Sequence, residues 1–188
     1  MQIIEFLHNR VSRPKLQAPA PDREQLELMF KAALRAPDHA GLKPWRYLVY
    51  QGEAALGALG DKFAAASLAD DPELPPDKLD KLRAKPLRAP MVIIAVAVYT
   101  EHRKVPHIEQ ILSAGAGVEN LMLAANALGF GTYWRTGSLA YNSHLLDELG
   151  LGKRDTIVGF IYLGTPDGEP RVREEASVGD FVEFHGQD

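Results

Sequence analysis

Pro90 opens a run of nine apolar residues, Met91-Val-Ile-Ile-Ala-Val-Ala-Val-Tyr99, and no other stretch of the 188-residue chain restricts the fold as tightly. The run is rich in β-branched side chains and lacks the polar alternation of a strand with one wet face. It therefore predicts a strand buried on both sides at the centre of a sheet. It falls far short of the roughly 20 residues that a membrane-spanning helix needs. A central strand that is apolar on both faces requires a covering layer on each, and the rest of the chain has to supply those layers.

Helical segments are plentiful. Ile3, Ile4 and Leu7 predict a short first helix ending before Pro14, because proline restricts the residue that precedes it. Asp22 suits the N-cap of a second helix carrying Leu26, Met29, Phe30, Ala33 and Leu34 on one face, which stops near Arg35 because Pro37 restricts Ala36. A third helix is expected from about Gly52 to Leu68 and a fourth around Asp77 to Lys85, with the acidic stretch Ala69 to Pro76 as a solvated loop between them. Residues Ile108 to Leu128 predict a long helix, apolar on nearly every face and hence buried. Its Ala114, Gly115, Ala116 and Gly117 allow close approach of another backbone, from the same chain or from a second subunit. A last helix spans about Asn142 to Leu149, and strands at Pro44 to Tyr50, Thr132 to Arg135 and Asp155 to Leu163 complete the sheet. The tail beyond Gly164 reads as an extended arm. Without a regular β-α-β rhythm the class is α+β, and the length fits one domain, 1–188.

A formal net charge of -4 argues against nucleic-acid binding, which needs a surplus of clustered Lys and Arg. The absence of cysteine removes disulfides, thiolate nucleophiles and Cys-based metal sites from the chemistry of this chain, and favours a reducing compartment. Glu5 and the broken apolar pattern of the first ten residues do not read as a secretory signal, so the cytoplasm is the expected location, with no membrane span.

Familiar motifs are incomplete. Gly129-Phe-Gly131 does not extend to a dinucleotide fingerprint, and Gly150-Leu-Gly-Lys153 is followed by Arg154 where a phosphate loop needs Ser or Thr. His102 and His107, with Glu101 and Glu109, match no metal spacing and are interrupted by Pro106. Three polar clusters remain at the ends of apolar elements. Arg10, Ser12, Arg13 and Lys15 bring positive charge and a hydroxyl to the exit of the first helix, which suits a phosphate monoester, although the helix dipole alone also favours cations there. Arg35-Ala-Pro-Asp-His39 gathers a guanidinium, a carboxylate and an imidazole at a broken helix end; the plainer reading has Asp38 capping the turn and pairing with His39, with Trp45 in the core. Gly129 to Gly137 is a glycine-flanked strand whose aromatics suit core packing, whereas Arg135 and Thr136 suit an anion and a flat ligand.

Arg10-x-Ser12, the run Arg35 to His39 with Pro44-Trp45-Arg46, and Gly129-Phe-Gly131 with Trp134-Arg-Thr-Gly137 occur in the order seen in nitroreductase-like FMN-dependent oxidoreductases. The chain resembles that family over nearly its whole length, its compact YdjA-type subgroup in particular, and Val158 to Pro166 resembles the family's last core strand. The resemblance implies a nitroreductase-like fold, a mixed or antiparallel sheet flanked by helices, in an intertwined homodimer built on the long buried helix, with FMN at two sites lined by both chains. Carried over by position, Arg10, Val11 and Ser12 hold the FMN phosphate and ribityl region, with Lys15 nearby. Arg35, His39, Pro44 and Trp45 also meet the flavin, and Trp134, Arg135 and Thr136 form the opposite wall. Ala124, Ala125, Asn126, Ala127, Leu128 and Gly129 match the segment assigned to the nicotinamide cofactor. Many members place a basic residue two positions after the serine, toward flavin N1 and O2; Pro14 stands there in this chain, leaving Arg13 or Lys15, and Lys15 fits the subgroup's spacing better.

The same resemblance implies ping-pong hydride transfer from NADPH or NADH through flavin N5 to a small-molecule acceptor such as a nitroaromatic, a quinone or an activated alkene. No catalytic side chain is then required, because the cofactor carries the chemistry while the protein supplies orientation and charge. The alternative from another class is an FMN-binding carrier without turnover on the same scaffold.

Overall fold

The computed structural model describes residues 3–170 and 176–186. Its sheet has five strands: β1 (Leu16–Gln17), β2 (Trp45–Gln51), β3 (Met91–Ala97), β4 (Gly131–Arg135) and β5 (Thr156–Pro166). Every pairing is antiparallel: β2 with β3, β3 with β5, and β4 and β1 in line along the far edge of β5. All seven residues of β3 are buried, as the apolar run requires. The centre is nevertheless shared, because β5 has neighbours on both edges. β5 also continues three residues past Leu163, where Thr165 and Pro166 pair with Gln17 and Leu16. A two-residue strand carries no periodicity of its own, and so β1 is invisible in sequence.

Six helices cover the two faces: α1 (Ile3–His8), α2 (Arg23–Ala33), α3 (Glu53–Asp70), α4 (Pro76–Arg83), α5 (His107–Ala127) and α6 (Ser143–Glu148). Strand alternation divides the core between them. Met91, Ile93, Ile161 and Leu163 pack against Met29 and Ala33 of α2 and Val118, Leu121 and Ala125 of α5. Val92, Ile94, Phe160 and Tyr162 pack against Leu56, Leu59 and Phe63 of α3 and Leu145 of α6.

Local chemistry sets the ends of these helices. Asp22 accepts from Gln25 N at 2.9 Å while the Gln25 side chain accepts from Asp22 N at 3.0 Å, a reciprocal cap that starts α2. Helix α3 runs on to Asp70, so the acidic stretch begins inside a helix; Asn142 Nδ2 donates to the Asp70 carboxylate at 2.7 Å and ties that end to α6. Helix α5 is not buried all round: Ile108 is 58% and Leu112 64% exposed. Its small residues divide likewise. A Cβ on Gly117 would lie 2.6 Å from the Tyr47 hydroxyl and 3.2 Å from Ala33 O, whereas one on Gly115 would meet open space. Ile3, Ile4, Leu7 and Leu34 are also exposed, as are Phe181 and Phe184 of the tail. Of the arm expected beyond Gly164, Thr165 and Pro166 belong to β5, while the described residues past Pro166 are exposed and irregular but for a single turn at Val178–Asp180; 171–175 lie outside the described residues.

Candidate functional site

Helix α5 is the spine on which two of the polar clusters are laid out. Arg10 Nε stands 3.4 Å from Glu119 Oε1, its side chain only 21% exposed. The adjoining segment lies beside β4, because Arg13 N donates to Thr132 O at 2.8 Å and Arg13 packs on Gly131, where a Cβ would collide with it. Val11 and Ser12 are half-buried along that edge. Toward the other end of α5, His39 Nδ1 lies 2.6 Å from Glu109 Oε2. Between the two poles Ala36 packs near Gly117, Ser113 Oγ donates to Pro37 O, and Asn120 Nδ2 donates to Ala32 O at 3.3 Å. Glu109 and Glu119 are ten residues apart, about 15 Å along a helix axis. One chain therefore presents Arg10 and His39 at separate poles.

The His39 turn is built under strain. Asp38 caps it, accepting from Leu42 N at 3.2 Å and Lys43 N at 2.7 Å, but His39 turns away from Asp38 to Glu109. Ala40 and Lys43 have φ of 64° and 51°, a left-handed conformation that costs a residue bearing a Cβ and collects at ligand sites. A cleft of about 270 Å³ opens between this turn and α5, lined by Pro37, Asp38, His39, Glu109, Leu112 and Ser113. Arg35 is exposed just past α2, Pro44 is buried, and Trp45 is half-buried at the start of β2.

Strand alternation splits the wall expected from Trp134, Arg135 and Thr136. Trp134 faces α5, donates from Nε1 to Val158 O at 3.1 Å and covers Gly159, where a Cβ would collide with the indole. Its neighbour points the other way: the Arg135 guanidinium lies 4.3 Å from the Tyr133 ring centre and 5.4 Å from that of Tyr162, on the α3 face. Within one chain the sheet thus separates the charge of Arg135 from that of Arg10. Thr136 and Gly137 are exposed beyond the strand, and Gly137 has φ of 85° with open space where a Cβ would stand.

The remaining expected contacts are placed as follows. The Arg13 guanidinium donates to Gly168 O, while Lys15 is exposed and its carbonyl accepts from Asp167 N at 3.1 Å. Ala124 to Gly129 form the C-terminal cap of α5: Phe130 N donates to Ala125 O and Gly129 N to Asn126 O, both at 2.9 Å, with Gly129 at φ 86°. Ala125 is buried in the core, and Asn126 is the one polar side chain in the segment.

Two residues given no role by sequence reasoning stand beside Arg135. Lys85 and Arg88, just before β3, line a cavity of about 330 Å³ with Arg135, Tyr133, Phe160 and Tyr162. Their spacing around Pro86 was the available signal, but their convergence with β4 is long-range. A cavity of about 710 Å³ between α2 and the edge of β2 is mainly apolar, so it is a poor candidate for chemistry. Among the described residues no helix is long and apolar enough to cross a membrane.

The family model described as "Nitroreductase family" matches residues 7–165. The Escherichia coli (strain K12) protein named "Putative NAD(P)H nitroreductase YdjA" is 42% identical over 168 residues, covering 88% of this chain and 89% of that protein. A Haemophilus influenzae protein named "Putative NAD(P)H nitroreductase" is 38% identical over 185 residues, 98% of each. Among solved structures, a nitroreductase-like family protein from Bacillus cereus superposes with a TM-score of 0.85 at 22% identity, covering 100% of this chain and 97% of that one. A nitroreductase with bound FMN from Bacteroides fragilis gives 0.73 at 16% identity, covering 98% and 99%. These two structures are alike in fold.

Proposed function

Because the chain belongs to the nitroreductase family, we propose that it is an FMN-dependent oxidoreductase that draws hydride from NADPH or NADH and reduces a small oxidised acceptor. The E. coli and H. influenzae relatives carry NAD(P)H nitroreductase names, and a structural neighbour is titled as holding FMN. The observation that carries the reading is the juxtaposition of Arg10 and Ser12 with the outer edge of β4. A guanidinium and a hydroxyl suit a phosphate monoester, and the open backbone at Gly137 suits a flat ring. These residues fit the cofactor. In this reading Arg10 and Ser12 hold the phosphate and ribityl chain, while Trp134, fixed over Gly159, keeps the strand below the ring rigid. Bound FMN supplies hydride chemistry at N5, so no side-chain acid or base is required. Nitroaromatics, quinones and activated alkenes are the acceptor classes expected.

The site is completed by a second copy of the chain. Ile108, Leu112, Gly115 and Glu119 share one face of α5, exposed at its two leucine-type positions and open at the glycine. Two such helices packed antiparallel about the middle of this strip bring the His39 pole of one chain to the Arg10 pole of the other. The exposed apolar residues of α1 and the tail support such a partner.

Purified protein should show a flavin spectrum that bleaches anaerobically with NADPH or NADH and returns when a quinone or nitroaromatic is added. Bound FMN that resists both reductants would contradict turnover and leave a carrier.

A further inference from the structure

Glu109 Oε2 meets His39 Nδ1 at 2.6 Å across 70 residues of sequence. A carboxylate only accepts, so the proton of this bond sits on Nδ1 and Nε2 is the nitrogen left free. The nearer carboxylate is already committed, because one Asp38 oxygen accepts from Leu42 N and the other from Lys43 N. Helix α5 therefore grips the turn at two points one helical turn apart: Glu109 holds the imidazole, and Ser113 donates to Pro37 O. Glu109 stands in the first turn of α5, where the helix dipole favours a negative charge. Ala40, at φ 64°, fixes the backbone on the other side of His39.

Stability does not account for the pair. The two side chains are 54% and 42% exposed, and contacts so open to solvent contribute little to folding. What the pair does fix is the ring: its orientation, and which nitrogen carries a free valence toward a ligand. We propose that Glu109 is a positioning residue of the flavin site, holding the His39 ring so that Nε2, and not Nδ1, meets the bound cofactor. This role rests on the proposed contact between His39 and FMN, and adds to it the choice between two nitrogens.

Nitrogen-15 spectra of histidine-labelled protein, with the His39 signals identified by their loss in His39→Ala, should show a protonated Nδ1. A bare Nδ1 overturns the proposal. Glu109→Gln keeps the shape, but its amide can also donate to Nδ1 and so admits the other tautomer. It should weaken FMN binding by about three- to tenfold, read by fluorescence titration, with the urea midpoint nearly unchanged. In the His39→Ala background the same substitution should cost nothing further, as expected of a residue that acts through His39. Unchanged FMN affinity in Glu109→Gln overturns the proposal, as does a loss that adds in full to that of His39→Ala. If His39→Ala itself keeps full affinity, His39 does not reach the flavin and its contact falls together with the role of Glu109. If His39→Ala weakens binding and Glu109→Gln does not, the role of Glu109 falls alone. Neither NADPH nor NADH enters these measurements, so the oxidoreductase reading can fail separately.

Discussion

Arg10 Nε stands 3.4 Å from the Glu119 carboxylate, an ion pair that joins the exit of α1 to the long helix α5. Because the pair is open to solvent on the Glu119 side, it contributes only about 0–1 kcal/mol to stability. Arg10→Ala should therefore leave the unfolding midpoint nearly unchanged. Its FMN affinity should fall by roughly 10- to 100-fold, the worth of one charge-assisted contact. Fluorescence titration with FMN beside urea denaturation checks both halves, and unchanged flavin affinity contradicts the phosphate assignment.

Gly117 is where α5 meets Tyr47, and the 2.6 Å left for a Cβ below the hydroxyl is too little. Gly117→Ala should cost about 1–3 kcal/mol through overpacking, outweighing alanine's better helix propensity. Adding Tyr47→Phe removes the colliding oxygen and should recover much of the loss. Additive costs in that double-mutant cycle would contradict the contact.

Burial pushes the Tyr47 phenol up to about 12, from an ordinary 10.0. A raised tyrosine pKa favours the protonated form in the folded state, so its contribution is complete below pH 10. Between pH 10 and about 12 the unfolded chain ionises first and stability falls. Tyr47→Phe should flatten that part of the alkaline denaturation curve. The substitution should also do no harm at neutral pH, since the hydroxyl is buried with no hydrogen-bond partner among the described residues.

Ala40 adopts φ of 64° beside His39. Ala40→Gly should stabilise the protein by roughly 1 kcal/mol by relieving that strain, while weakening FMN binding if the turn positions His39. A lower melting temperature would show that the turn is not strained in solution.

Much of the fold is legible in local chemistry: the apolar run of β3, the Asp22 cap, and the glycine stop after α5 each follow from a few neighbouring residues. What sequence does not carry is pairing at a distance. β1 exists only because Leu16 and Gln17 find Pro166 and Thr165, and the partner of His39 is Glu109 rather than the adjacent Asp38. Arg135 shows the same limit within a motif. Trp134 and Arg135 are adjacent in the string, but a strand sends neighbouring side chains to opposite faces, so the Arg135 guanidinium lies over Tyr133, beside Lys85 and Arg88.

The central claim, that flavin is held jointly by the Arg10 pole of one chain and the His39 pole of another, is tested by mixing Arg10→Ala chains with His39→Ala chains. A shared site leaves one of the two sites in each mixed pair wholly intact, so the mixture should regain tight FMN binding that neither parent shows. If each site lies within a single chain, every site in the mixture carries one defect and no binding returns, which would contradict the account.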